Sequence, residues 1–222
     1  MSYLGGDTHG YEAGALGVGI AWAKDFVPPR EWERVSEAVL APGDEDARWY
    51  DNNVIYKSSV IWDQDKTLGH PFVMYYNAKG KPAPGQRGVE RIAMAVSDDM
   101  LHWQRYGTEP VIDHGSGISG DAQITRIGDL WVMFYFGAGW KPGGFERFAC
   151  SHDLVHWTPW EGEDLIAPSE EYDARYAHKP CVIYRDGIVY HYYNAVDKAG
   201  NRGLALATSR PIGQSGKSFP KE

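Results

Sequence analysis

The sequence predicts an all-β fold made of repeated four-stranded antiparallel units, and three observations support this prediction. A nine-residue segment occurs twice, at 95–103 and 149–157, and both copies read Ser-x-Asp-apolar-apolar-His-Trp. Their final Trp residues lie 54 positions apart, a period close to those of propellers, solenoids and arrays. The chain has 26 Gly and 13 Pro, which favour sharp turns, and 14 Tyr and 9 Trp, which favour strands. Four-stranded units at this spacing indicate the blades of a β-propeller.

The repeated segment has a structural interpretation, and we assign it no chemistry. The small residues before each corner, such as Ala93 and Ala95, suit a strand that a neighbouring sheet approaches closely. The Ser and Asp side chains then close their own backbone into a tight turn. We expect the Trp that ends each copy to be buried at this corner, where it would hold one sheet against the next.

Four repeats follow one another along the chain, and together they predict a single β-propeller domain over 1–222. Residues 1–41 form a partial blade that lacks its first strand, 49–112 and 119–167 form complete blades, and 173–212 form a three-stranded blade. The predicted strands are 1–4 and 16–22 in the first repeat, 58–62, 71–77, 90–97 and 103–107 in the second, 121–127, 130–136 and 145–151 before Trp157 in the third, and 178–184, 188–194 and 203–209 in the fourth.

The blade count suggests that this propeller is incomplete. Propellers usually close when a strand from one terminus completes the blade at the other, and neither terminus of this chain carries such a strand. We therefore expect an N-terminal portion of about one blade and one strand to be absent from the chain or supplied by another subunit, as in a homo-oligomer that completes the propeller. The alternative is a compact four-bladed or irregular propeller.

Composition limits the classes of partner. The formal net charge of −8 argues against nucleic acid and against an anionic membrane. No apolar run of 18 residues is present, so we expect no membrane span, and a cytoplasmic, periplasmic or secreted location stays open. The abundant Trp and Tyr suit a ligand with apolar faces and hydroxyl groups, such as a sugar. Cys150 and Cys181 lie in apolar strands, and we expect them to be buried free thiols.

Most of the unusual polar residues fall on one face of the predicted propeller. In a four-stranded blade, the loops from strand two to strand three and the links from strand four to the next strand one lie on the same face. These segments carry polar clusters at 51–57, 113–121 and 170–179, together with His9 and Trp140. Such a concentration predicts a funnel-shaped binding site around the propeller axis.

The strands and corners resemble those of an enzyme superfamily. The Tyr-rich second strands, Met-Tyr-Tyr-Asn at 74–77 and Tyr-His-Tyr-Tyr-Asn at 190–194, and the His-Trp corners are similar to those of the five-bladed β-propeller glycoside hydrolases of families 43, 32, 117 and 130. The resemblance covers the chain from Leu16 to Ile212 without selecting one family. It implies acid/base hydrolysis of a glycosidic bond in an oligosaccharide or polysaccharide. It implies no cofactor and no catalytic metal, with a structural calcium or sodium ion in the axial channel left open.

Three residues are candidate catalytic groups under this resemblance. Asp121 opens an inner strand, where the superfamily places an axial carboxylate, so we expect a direct or pKa-tuning role. His178 lies at the corresponding start of the next blade, one position earlier when the two strands are aligned on their Gly-Asp and Asp-Gly turns. It is the candidate proton donor, because histidine titrates near neutral pH. Asp51 precedes the inner strand of the first complete blade and is the candidate second or tuning carboxylate. The alternatives are a turn-capping Asp and a structural His.

Five further residues are candidate substrate-binding groups. Arg175 and Lys179 flank the candidate proton donor and would bind a sugar carboxylate or hydroxyls, unless they pair with nearby acids. Trp140 would stack on a pyranose face or pack on its own blade. Tyr56 and Lys57 lie in the polar link that enters the first complete blade.

Departures from the family patterns keep other functions open. The sequence has no Glu-Gly-Pro segment like that of the family 43 acid and no Asp-Pro-Asn-Gly segment as in family 32. The inner strand that should carry the first catalytic Asp would lie before Met1, and without that base the chain alone would be inactive. The alternatives are a phosphorylase of the family 130 type, in which Lys57, Arg175 and Lys179 would bind phosphate, and a non-catalytic carbohydrate-binding or truncated propeller.

Overall fold

A computed structural model describes residues 1–6, 8–10, 12–25 and 31–210 of the chain. The strands are β1 (Ser2–Gly6), β2 (Leu16–Trp22), β3 (Glu33–Arg34), β4 (Val54–Trp62), β5 (Phe72–Lys79), β6 (Glu90–Ser97), β7 (Trp103–Arg105), β8 (Ile118–Ile127), β9 (Leu130–Ala138), β10 (Gly144–Ser151), β11 (Thr158–Pro159), β12 (Tyr176–Arg185), β13 (Ile188–Val196) and β14 (Arg202–Thr208). Over these same ranges, no helix is long and apolar enough to cross a membrane.

The strands form four antiparallel groups in chain order. We name them blade 1 (β1–β3), blade 2 (β4–β7), blade 3 (β8–β11) and blade 4 (β12–β14). Blades 2 and 3 and blades 3 and 4 touch through single parallel bridges near the starts of strands, Glu90 with Ile118 and Gly144 with Tyr176. This arrangement confirms the predicted all-β propeller of four-stranded antiparallel blades. The predicted domain limits include residues outside the described ranges and stay a prediction.

The repeated corner is closed by its own side chains. The hydroxyl of Ser97 accepts the N–H of Met100 at 2.9 Å, and one carboxylate oxygen of Asp99 accepts the N–H of His102 at 2.8 Å. The second copy, at 151–157, makes the same contacts. Because the turn is built from local side-chain acceptors, the short sequence motif is enough to specify it.

The corner Trp residues join one blade to the next. The indole of Trp157 donates to the carbonyl oxygen of Leu154 at 3.0 Å, and that carbonyl also accepts the hydroxyl of Tyr75 from blade 2 at 2.6 Å. The rings of Tyr75 and Trp157 meet edge to face, with centroids 5.7 Å apart. The principal apolar cluster, which includes Met94 and Met133, fills the space between blades 2 and 3 around this contact.

The expectation of two buried thiols is wrong for Cys181. This residue is exposed and Cys150 is partly buried, and both are free. Cys181 pairs with Tyr192 on the face of blade 4 that points away from blade 3, and the same face exposes Ile183 and Leu204. The apolar pattern of the strand therefore predicted burial on both faces, whereas one face of blade 4 is open.

Candidate active site

The three inner strands that follow a link between blades carry a β-bulge at equivalent positions. The ladder shifts between Ile55 and Ser58 in β4, between Gly120 and Gln123 in β8, and between His178 and Cys181 in β12. These strands also begin earlier than predicted, because the bulge accommodates polar residues that the pattern placed before the strand. A bulge bends its strand and redirects a side chain.

The equivalent bulges bring three charged side chains together. The ammonium of Lys57 donates to Oδ2 of Asp121 at 3.1 Å, and the ammonium of Lys179 lies 3.8 Å from the same oxygen. Asp121 and Lys179 both adopt positive φ, 53° and 66°, a backbone conformation that is uncommon for residues other than glycine. Three neighbouring blades therefore supply a Lys–Asp–Lys cluster at one point.

Asn77 of blade 2 also binds Asp121. Its amide nitrogen donates to Oδ1 of Asp121 at 2.8 Å, and its amide oxygen accepts the backbone N–H of Asp121 at 2.7 Å. The carboxylate therefore accepts from a neutral donor on one oxygen and faces two cations on the other, and its side chain is only 12% exposed. These contacts fix the position of the Asp121 carboxylate at the centre of the cluster.

The Lys–Asp–Lys cluster lies in a cavity of about 220 Å³, which we call the axial pocket. The side chains that line it combine charged groups with aromatic and aliphatic walls. They are Glu12, Tyr56, Lys57, Asn77, Glu90, Ile118, Asp121, Phe136, Ala138, Tyr176, His178, Lys179 and Arg202. A concave site with converging polar groups and apolar walls is the usual form of a small-molecule site.

Glu90 is the carboxyl group of the pocket with a raised pKa. Burial raises its pKa, and the charge of Lys79, whose ammonium lies 3.6 Å away, opposes this in part. The negative charges of Glu12 and Asp121 add to the increase. The pocket thus holds two carboxyl groups in unlike environments: Glu90 is buried and its pKa is raised, whereas Asp121 is hydrogen-bonded to Asn77 and lies between two lysine ammonium groups. Two carboxyl groups in unlike environments are the usual arrangement for distinct acid and base roles.

His178 lies between the rings of Phe136 and Tyr176, each with its centroid 5.4 Å away. Its Nδ1 is 3.0 Å from the carbonyl oxygen of Asn194. Because a carbonyl oxygen only accepts, Nδ1 carries the proton of this hydrogen bond. Burial lowers the pKa of His178, and the positive charge of Lys179 contributes in the same direction. The imidazole is therefore neutral near pH 7, with Nε2 as an acceptor.

Five of the predicted site residues line the axial pocket together: Tyr56, Lys57, Asp121, His178 and Lys179. Burial raises the pKa of Tyr56 to about 12, so its hydroxyl stays protonated. These residues meet because each lies at or beside an inner-strand bulge. Their proximity was predictable from the rule that inner strands start near the propeller axis.

Asp51 does not line the axial pocket, and this corrects the expectation that it joins Asp121 there. It is fully buried, and its Oδ2 accepts from Nε of Arg105 at 2.6 Å and from the hydroxyl of Tyr76 at 2.8 Å. Its Oδ1 accepts the backbone N–H of Arg48 at 2.7 Å. All its contacts fix the link that enters blade 2, which is the structural alternative for this residue.

Trp140 and Arg175 also lie outside the axial pocket. The indole of Trp140 packs against Phe145 of its own blade, with ring centroids 5.4 Å apart, and touches the ring of His114. The guanidinium of Arg175 lies over the ring of Tyr176, 5.1 Å from its centroid, on the exposed surface. The expectations of a stacking platform and of a basic group beside His178 are therefore not met.

Three residues that line the axial pocket are not among the predicted site residues: Asn77, Glu90 and Arg202. Glu90 begins β6 directly after the loop between the second and third strands, so the rule that placed these loops on the funnel face contained the signal for it. Asn77 lies in the second strand of blade 2, and Arg202 lies in the third strand of blade 4. Their position in the pocket depends on how blades pack, which residue spacing within one blade does not encode.

The axial pocket does not fit the calcium or sodium ion left open above. The carboxylate of Asp121 already faces two lysine ammonium groups, which repel a further cation. In the part of the chain that the structure describes, no group of three or more His, Cys, Asp and Glu side chains could hold a metal ion.

Solved structures resemble this chain over nearly its whole length. A structure described as a complex of BT0996 with RGII has a TM-score of 0.92 and 48% identity, and a second, described as "Glycoside hydrolase", has 0.91 and 47%. Each match covers 99% of this chain, which spans only 65% of either of those proteins. A thermostable family-43 glycoside hydrolase has a TM-score of 0.66 at 22% identity over 93% of this chain and 67% of its own, which supports the fold alone.

No protein-family model and no curated protein matches the chain. The predicted resemblance to β-propeller glycoside hydrolases is confirmed by the solved structures.

Proposed function

We propose that this glycoside-hydrolase-like chain cleaves a glycosidic bond at the axial pocket, with Glu90 as the proton donor. The observation that carries the proposal is the pairing, in one pocket, of a buried carboxyl group of raised pKa with a second carboxyl group, Asp121, that contacts two lysine ammonium groups. A glycosidic bond is hydrolysed when a carboxylic acid protonates the leaving oxygen, the bond from that oxygen to the anomeric carbon breaks, and water adds to the anomeric carbon and gives its proton to a base.

Each side chain has a role that follows from its contacts. Burial raises the pKa of Glu90 and so favours its protonated form, and in the proposed role Glu90 gives that proton to the leaving oxygen. Asp121 tunes this acid, because its fixed negative charge raises the pKa of Glu90. Lys57 and Lys179 contact the carboxylate of Asp121 and hold it in place.

We propose a different role for His178 from the one that the sequence suggested. Its proton is on Nδ1 and is donated to a backbone carbonyl, so Nε2 is free to accept a hydrogen bond from a substrate hydroxyl or from water. A neutral imidazole with a lowered pKa is a poor proton donor. His178 therefore orients the substrate or the water, and Glu90 supplies the proton.

A carbohydrate is the substrate class that we propose. The 48% identical structure is described as a complex with RGII, so RGII is the first substrate to test. Turnover by the wild-type protein is compared with that of Glu90→Gln, which keeps the volume of the side chain and cannot donate the acidic proton. We expect kcat to fall by about 100-fold or more, the scale of a lost general acid.

The control is Glu163→Gln, which makes the same change on an exposed glutamate outside the axial pocket. It should leave kcat unchanged. Glu90→Gln with wild-type turnover would refute the assignment of the acid. Binding of the saccharide without turnover by the wild-type protein would indicate a carbohydrate-binding propeller instead.

A phosphorylase is the second candidate, and the cations of the pocket favour it. Lys57, Lys179 and Arg202 line the same cavity and could hold a phosphate oxygen. Two of them already face Asp121, which reduces the charge available to an anion. Release of sugar that depends on inorganic phosphate and yields a sugar phosphate would favour this function over hydrolysis.

A further inference from the structure

Asn77 makes a two-point contact across the boundary between blades 2 and 3. Its side chain donates to the carboxylate of Asp121 and accepts the backbone N–H of the same residue. An amide is suited to this geometry because it offers one donor and one acceptor side by side. The side chain is buried, so neither hydrogen bond competes with bulk water.

The contact coincides with an uncommon backbone conformation. Asp121 has a φ of 53°, which brings its N–H and its carboxylate to the same side, toward Asn77. The preceding residue is Gly120, and a Cβ at that position would lie 2.5 Å from the amide nitrogen of Asn77. The glycine is therefore required for the amide to approach, and the amide holds a backbone that would otherwise relax.

We infer that Asn77 is a positioning residue that holds the Asp121 carboxylate between Lys57 and Lys179. The inference rests on the proposed function only for its kinetic consequence, since the contact itself is a property of the fold. Asn77 acts through Asp121 and need not touch the substrate. Without it, Asp121 can leave the left-handed conformation and move its charge away from the acid of the pocket.

The first test is the kinetics of Asn77→Ala on a saccharide that the wild-type protein turns over. We expect kcat to fall by about 10- to 100-fold with little change in KM, because a small misplacement of a catalytic constellation has this cost. The alkaline limb of the kcat profile should move to lower pH. Asp121 raises the pKa of Glu90, and a displaced carboxylate does so less.

A double variant makes the test sharper. Gly120→Ala places a methyl group against the amide of Asn77 and should reproduce the loss seen in Asn77→Ala. In the combined variant the amide is gone and the methyl group has room, so the loss should equal that of one single variant and not the product of both. Asn201→Ala is the matched control, because its amide donates to Asp197 at 2.9 Å on an exposed loop outside the pocket.

The result that would overturn the inference is independent of activity. A crystal structure of Asn77→Ala in which Asp121 keeps its positive φ and both lysine contacts would show that the amide positions nothing. Fully multiplicative losses in the double variant would also contradict it. If the wild-type protein turns over no saccharide, the proposed function fails, while the crystal structure of the variant still decides the role of Asn77.

Discussion

Replacing Arg105 by Met should destabilise the protein strongly, because this side chain compensates a buried carboxylate. The Arg105 side chain is 0% exposed, and it pairs with Asp44, Asp46 and Asp51 while also donating to the carbonyl oxygen of Ala41. Of the three acids, only Asp51 is itself fully buried. Met fills a similar volume and carries no charge, so the variant leaves the Asp51 carboxylate buried without a cation.

The size of the effect follows from this geometry. Removing one partner of a buried, hydrogen-bonded ion pair lowers the free energy of unfolding by about 3–5 kcal/mol. For a chain of 222 residues, each kcal/mol lowers Tm by about 2–4 °C, so Arg105→Met should unfold about 6–20 °C below the wild type. The comparison variant is Arg185→Met, whose guanidinium is exposed and pairs with exposed Asp186, where we expect about 0–1 kcal/mol.

Thermal and urea unfolding measure the stability, and turnover at 25 °C measures the function of the folded fraction. Asp51→Asn should also lower Tm, by less than Arg105→Met, because Arg105 keeps its two half-exposed acidic partners. Both variants should keep the kcat of the folded wild type. The reasoning would be refuted by an Asp51→Asn protein that unfolds like the wild type and has lost about 100-fold in kcat, since that result would make Asp51 a catalytic carboxylate.

Two further predictions concern pH and stability. Burial raises the pKa of Glu146, and its partner His191 opposes this rise. The variant His191→Phe lacks that partner, so its stability should fall further below that of the wild type as pH rises above the usual glutamate range. Urea unfolding at pH 5 and pH 8 measures the difference. Equal losses at both pH values would contradict this. Burial raises the pKa of Asp153, but hydrogen bonds from His156 and from backbone N–H groups outweigh burial and lower it. The stabilising effect of the Asp153 carboxylate should therefore disappear as pH falls. Acid unfolding of Asp153→Asn should therefore show a weaker pH dependence than that of the wild type.

The corners and the strand order were predictable because they depend on local chemistry. The corner that ends at Trp103 is closed by acceptors within the same seven residues, so the motif alone specifies it. The residues of the site were predictable only where they lie at the start of an inner strand. Asp121 and His178 were placed correctly near the axis by this rule, whereas Glu90 was overlooked at the start of a third strand.

The expectation for Asp51 failed because an acidic residue before an inner strand has two uses. Asp173 stands before the inner strand of blade 4 and accepts the hydroxyl of Tyr193 at 3.0 Å, just as Asp51 accepts that of Tyr76 at 2.8 Å. Both carboxylates are fully buried and bind backbone N–H groups of their own link. The repeated Asp–Tyr pair is therefore part of the blade architecture, and two copies in the sequence are a sign of structure and not of chemistry.

The bulges show how one repeated backbone carries different chemistry in each blade. The first bulged residue is Tyr56 in blade 2, Asp121 in blade 3 and Lys179 in blade 4, and Lys57 is the second bulged residue of its strand. Residue type and position within the bulge therefore decide together which charge reaches the axis. The opposite charges of Lys57, Asp121 and Lys179 attract across the blade boundaries, so these contacts connect three blades at the centre of the propeller.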